Sequence, residues 1–323
     1  MTNQSNKIIK SSTVRFFKEG RKIQGYSFFD FLHGYFYARF PYLYIGIGTG
    51  EHPLAKIGAR LVNAWLRLSG KPASTPRTKH DPVPNSLQNG GRITFADTYH
   101  GKVVPLEAAA QLVKVNEPVR LPNLEKIIPY GRARDIVLEN PDHIVVIDCP
   151  CRLSRPDPCL PLDVCLIIGE PFVSFVLEHH PQHSRQITSE EAVATLRAED
   201  KRGHVHHAFF KDAMLNRFYA ICNCCSCCCG AMQAHNHGTP MLAPSGYECR
   251  VDPDLCIGCA ECQESCQFGA LSLLDGVTQV SKEDCMGCGV CVNVCPQGAL
   301  ELVREESKGE PLEIRKLMAQ AER

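Results

Sequence analysis

The chain has 323 residues, enough for two or three domains, with ordinary hydrophobic (44%) and charged (22%) content and zero formal net charge. Nineteen cysteines behind a polar start, Met1 to Lys10, point to a reducing, cytoplasmic setting and away from an exported disulfide scaffold. No run of 18 or more apolar residues occurs, which argues against a transmembrane span.

Residues 1–70 read as a basic, aromatic, helical head. Residues 1–50 hold seven Lys or Arg against Glu19 and Asp30, and ten aromatics lie between Tyr26 and Tyr44. Three readings stand for this stretch. It can pack into a core, present a hot-spot patch to a partner, or make peripheral contact with a membrane surface. From Glu51 to Gly70, Leu54, Ile57, Leu61, Trp65 and Leu68 form one apolar stripe, predicting an amphipathic helix. Residues 71–92, with four prolines and Gly90-Gly91, read as a linker.

Residues 93–245 predict a mixed α/β, cysteine-rich domain. Pro105 to Ala110 opens a helix with Pro early, and Leu121-Pro122 is expected to open a second that runs towards Ala133. His143 to Asp148 is short and apolar, the mark of a buried strand that delivers the chain into Cys149. Thr188-Ser189-Glu190-Glu191 is a capped helix start, and Gly203 the matching stop.

This domain carries ten cysteines. Four come as Cys149, Cys151, Cys159 and Cys165, and six crowd into Cys222-Asn223-Cys224-Cys225-Ser226-Cys227-Cys228-Cys229. Cys222, Cys225 and Cys228 are spaced C-x2-C-x2-C, and a fourth thiolate would come from the 149–165 group. Soft thiolates in a reducing setting select iron–sulfur clusters or zinc. The expectation is one or two further iron–sulfur clusters, with Cys149, Cys151, Cys159, Cys165, Cys222, Cys225 and Cys228 as candidate ligands. The alternatives are a structural zinc site and redox-active or free thiols. Neighbouring Cys residues point in different directions, so the group of six is not expected to serve one centre. His179, His180, His183, His204, His206, His207, His235 and His237 lie near in sequence and read as polar surface or capped-loop positions. Arg152 is placed to offset a thiolate-rich centre or to make an ordinary ion pair.

Residues 246–304 hold nine Asp or Glu against Arg250, Lys282 and Arg304, so this acidic module and the basic head suggest electrostatic docking to a partner. The stretch reads C-x2-C-x2-C-x3-C twice, from Cys256 to Cys266 and from Cys285 to Cys295, the second copy 29 residues after the first. Zinc ribbons use pairs of C-x2-C and leave the middle Cys of each triplet without a role. The stretch resembles the bacterial ferredoxins that carry two [4Fe-4S] clusters, over under a fifth of the chain. The resemblance implies two ligand sets that trade their fourth members. Cys256, Cys259, Cys262 and Cys295 would hold one cluster, and Cys285, Cys288, Cys291 and Cys266 the other. Gln267 stands where that pattern often has Pro. The resemblance also implies a βαββαβ module with strands near Tyr247–Val251, Ala270–Leu274, Val277–Val280 and Ala299–Val303. Residues 305–323 would end the chain as a polar helix.

The whole is therefore expected to be α+β. Together with the twin cysteine runs, the C-P-C-R and C-N-C-C motifs are similar to uncharacterised ferredoxin-domain proteins of anaerobic bacteria, a likeness covering about residues 100–304. It implies iron–sulfur redox work without a substrate. The expected function is relay of single electrons to or from a partner oxidoreductase or other redox protein. The alternative is a redox enzyme whose active centre lies in the upstream cysteines. Nothing in the sequence resembles a nucleic-acid-binding motif.

Overall fold

The computed structural model describes residues 10–50, 52–55, 57 and 95–322. Most of the helix expected at 51–70, and the whole linker at 71–92, lie outside them. The described residues mix helices and strands, as the α+β expectation has it.

In chain order the strands are β1 (Tyr99–Val103), β2 (Val119–Leu121), β3 (Ile136–Leu138), β4 (Ile144–Asp148), β5 (Asp163–Ile168), β6 (Ser184–Ile187), β7 (Val205–Lys211), β8 (Arg217–Cys224), β9 (Leu242–Ala243), β10 (Tyr247–Val251), β11 (Leu271–Leu274), β12 (Val277–Val280) and β13 (Leu300–Arg304). Seven of them make one sheet in the order β6-β4-β5-β8-β7-β1-β9. Its neighbours are antiparallel except β1 and β9.

Side chains alternate between the faces of a strand, so this sheet feeds two cores. Ile144, Val146, Leu166, Ile168, Ala208, Phe210 and Ile221 enter one, a cluster of thirty buried residues. Helices Leu106–Val113, Ser189–Lys201 and Ile314–Ala321 cover it. The helix Ser189–Lys201 opens on the expected capping box, in which Thr188 and Glu191 each satisfy the other's backbone N–H. The terminal helix buries Ile314 in this core and packs Leu317 and Met318 against it. No helix follows Leu121. Its place is taken by β2, which pairs with β3, and the intervening residues form turns in which Asn123 and Ala133 have positive φ. Leu121, Ile127 and Ile128 of that stretch are buried nonetheless.

Val145, Ile147, Ile167, Phe209 and Ala220 point to the second core, as do Cys165, Cys222 and Cys224. The head covers this face with helices Ser11–Gly20, Phe28–Arg39 and Pro41–Gly48. Phe16 meets Phe31, Phe172 and Phe175 edge-on, and Tyr37 and Tyr219 share a hydroxyl–hydroxyl bond of 2.7 Å. Gly34 permits the close fit, because a Cβ there would lie 2.1 Å from the Ala213 carbonyl oxygen. Core packing therefore accounts for Phe31, Tyr35 and Tyr37. Phe28, Phe29, Phe36 and Phe40 stay exposed. Among the described residues no helix is long and apolar enough to cross a membrane.

The C-terminal module runs strand, helix, strand, strand, helix, strand, in the expected order. β10 pairs with β13 and β11 with β12, giving two small antiparallel ribbons. Asp275 and Gly276, both at positive φ, turn the second ribbon. The module's own core is seven buried residues, four of them cysteines. It docks against the sheet domain through Gln267, Asn293 and Ser245. Gln267 donates to the Gly203 carbonyl (2.9 Å) and accepts from the backbone and hydroxyl of Ser226 (2.9 Å each). Asn293 donates to Asp200 (2.8 Å), and the Ser245 hydroxyl donates to the Gly287 carbonyl (2.6 Å).

Candidate metal centres

None of the nineteen cysteines is in a disulfide. They gather in four places.

The C-terminal module holds two. Cys256, Cys259, Cys262 and Cys295 line one small cavity; Cys266, Cys285, Cys288 and Cys291 line another. In each, three thiols come from one loop and the fourth from the far end of the module. Gly287 shows why the loop needs glycine: it sits at positive φ, and a Cβ there would lie 2.1 Å from the Tyr247 carbonyl oxygen. The donors around both cavities are thiols, with no carboxylate or imidazole among the lining residues, which suits a thiolate-bound cubane.

The two cavities differ in surroundings. Around the outer one, Cys259 is exposed and Ile257 is 65% exposed. The inner one faces the sheet domain. Phe268, Met286 and Val290 beside it belong to the same core as Cys224, Cys229 and Met232 of that domain. Burial pushes the Cys288 thiol far up. Cys249, the one cysteine outside every motif, also lines this inner cavity, with its sulfur 3.5 Å from Cys291. The position 29 residues later is Thr278, whose hydroxyl lies 3.4 Å from Cys262 at the outer cavity. The period of the twin runs relates Cys249 to Thr278 and was the signal that could have assigned both.

Residues 249–302 match the family model of the 4Fe-4S dicluster domain. No curated protein matches the chain. The match leaves the sheet domain and head outside it.

The third place is the sheet. Strand register sets Cys165 directly opposite Cys222 on β5 and β8, and Cys224 lies two residues on, facing the same way. β4 delivers Cys149, which begins the short helix Pro150–Leu153 and brings Cys151 alongside. Cys229 begins the helix Gly230–Asn236. Side-chain contacts run from Cys222 to Cys165, Cys149, Cys151, Cys229 and Cys224, a continuous arc of six thiols. It borders a cavity of about 90 Å³ whose other walls include Tyr37, Tyr99, Phe209 and Tyr219. Hydrogen bonds from Cys151 and Cys165 pull Cys149 below the ordinary thiol range, while donating to Cys149 raises both partners. Binding of a metal by these thiols would release protons.

Arg152 is 1% exposed and also lines this cavity. It donates to Glu199 (2.7 Å) and to the carbonyls of Pro161 and Asn223. Against the upward push of burial, bonds from His204 and Arg152 hold the Glu199 carboxyl below the usual carboxylate range. Arg152 is thus an ion-pair partner behind the arc. His179, His180, His204, His206 and His207 are buried, not on the surface as expected. His206, for example, binds the Asn223 side chain at 2.6 Å.

The fourth place holds Cys159, Cys225, Cys227 and Cys228, whose sulfurs all lie within 4.8 Å of one another. The expected triplet is therefore split. Cys222 belongs to the arc, whereas Cys225 and Cys228 turn to Cys159 and to Cys227, a residue the C-x2-C-x2-C spacing passes over. The reason is register: Cys222 is fixed by β8, while residues 225–228 leave the strand as a turn.

Proposed function

We propose that the chain is an iron–sulfur electron-transfer protein whose dicluster domain exchanges single electrons between an external redox partner and a further iron–sulfur centre in the thiol arc. Cys256, Cys259, Cys262 and Cys295 would hold one cubane, and Cys266, Cys285, Cys288 and Cys291 the other. Bound there, such clusters supply one-electron chemistry. The protein's part is to seat one set beside solvent, the other against the sheet, and to keep water from the inner one. The observation that carries this reading is the shared core of Phe268, Met286 and Val290 with Cys224 and Cys229, which packs the inner set and the arc onto one buried cluster.

The arc offers more thiols than one cubane needs, and aromatic walls beside them. That favours, as a second reading, a redox enzyme with its active centre in the arc. Reoxidation of the reduced protein by a small substrate alone would mark the enzyme; a stoichiometric oxidoreductase partner in pull-down would mark the relay.

The test is anaerobic iron and sulfide counting of the full chain with EPR during a reductive titration. Iron beyond that of two cubanes, lost in Cys165→Ser but retained in Cys259→Ser, is the expected result. Iron for two cubanes only, indifferent to Cys165, would leave the arc without a cluster and sink the proposal.

A further inference from the structure

The four sulfurs of Cys159, Cys225, Cys227 and Cys228 do not have the spacing of the chain's other cysteine sets. Among the described residues they are the single group of three or more metal-ligating side chains whose donor atoms converge within 4.8 Å. The four-thiol sets of the dicluster domain do not converge this far, although each surrounds one cavity. Cubane-type sets in this very chain are therefore wider. A single ion with metal–sulfur bonds near 2.3 Å in a tetrahedron holds its sulfurs about 3.8 Å apart. Cys227 and Cys228 are 3.8 Å apart, and Cys159 and Cys227 3.1 Å.

We propose that these four residues form a tetrathiolate site for one zinc-class ion, separate from the redox centres. Zinc suits four thiolates in a closed tetrahedron and carries no electron. Its binding forms four metal–sulfur bonds and releases the thiol protons to solvent. Cys227 is exposed and gives the ion its route in; Cys225 and Cys228 are buried. Arg155 offsets the negative charge of four thiolates, donating to the Cys228 carbonyl at 3.2 Å. The Gln233 amide fixes the Cys227 carbonyl at 2.8 Å, and the Cys229 N–H fixes that of Cys225 at 3.0 Å.

The ion would join two loops that share no strand pairing, the one carrying Cys159 and the one following β8. Cys225 and Cys228 also line the cavity of the thiol arc. The site is thus a clamp at the edge of that cavity, holding its wall whether or not the arc is loaded. It does not rest on the relay reading.

The experiment uses the full chain purified anaerobically, with elemental analysis and zinc K-edge absorption. One equivalent of zinc with an all-sulfur shell near 2.3 Å is expected. Cys159→Ser and, independently, the exposed Cys227→Ser should each lose the zinc while keeping the iron, which also shows that the fold survives. Ser226→Ala, within the same turn but offering no thiol, should keep both metals. Loss of several irons in Cys159→Ser would make the site a cluster and overturn the proposal. So would wild-type protein without zinc, or a Cys159–Cys227 disulfide found by mass after thiol alkylation. Failure of the relay reading shows instead in the iron count of Cys165→Ser, which the zinc does not affect.

Discussion

The dicluster domain and the sheet domain hold comparable numbers of cysteines and assemble them by opposite means. The dicluster domain draws eight thiols from one stretch of 40 residues, Cys256 to Cys295. It surrounds them with a core of seven residues, four of them cysteines. The sheet domain draws ten from β4, β5, β8 and the loops between, and rests on a separate core of thirty buried residues that contains no cysteine. In the first case local spacing gathers the thiols; in the second the sheet does. Local spacing can name the first kind of centre, but only strand register names the second.

The largest effect should come from removing iron. Anaerobic chelation is expected to unfold residues 246–304 while the seven-stranded sheet survives, because seven buried residues are too few to hold the domain without its clusters. Limited proteolysis with circular dichroism would show early cleavage confined to that region; a protease-resistant apo domain would break the contrast. Next comes the ion pair behind the arc. Glu199→Ala leaves Arg152 buried without its carboxylate and should cost about 3–5 kcal/mol, read from the urea midpoint of the sheet domain.

A comparable effect is expected from acid. His100 is fully buried, stacks on Tyr130 at 3.8 Å, and is pushed down to about 4 by burial. Between that value and the ordinary 6.5 the unfolded chain binds the extra proton. Stability is therefore present above pH 6.5 and lost as pH falls through the folded value, by about 3 kcal/mol in all. Denaturation midpoints at stepped pH should show this slope, and His100→Phe should flatten it. The smallest effect concerns the seam between the two regions. Gln267→Pro removes the bonds to Ser226 and Gly203 while restoring the residue that ferredoxin loops often have. It should loosen docking by about 1–3 kcal/mol, seen as faster hydrogen exchange at residues 203 and 226 with iron content unchanged. If exchange there is unmoved, the seam is held elsewhere.

Much of this is legible in the chain itself. The twin runs, the turn at Asp275-Gly276, the capped helix after Thr188 and the strand into Cys149 are all local signals, and each stands where the residues put it. The departure at Gln267 is visible too, but its purpose is not, since its partners lie 41 and 64 residues away. The upstream thiols mislead for the same reason. Cys222, Cys225 and Cys228 have cluster spacing in a loop, yet Cys222 lies in β8, and its partner is set by pairing with β5. Buried histidines such as His206 and His180 escape a local reading because their hydrogen-bond partners, Asn223 and the Ala38 carbonyl, come from elsewhere in the chain.

The register that sets Cys165 against Cys222 also ties the arc to long-range pairing. The dicluster ligands lie close together in the chain and can meet their iron as soon as that short stretch is made. The arc is complete only once β5 has found β8, which sets Cys165 beside Cys222 across more than fifty residues. The full set of arc thiols thus exists only in the paired sheet, whereas the thiols of the dicluster domain come from one short stretch that needs no such long-range pairing.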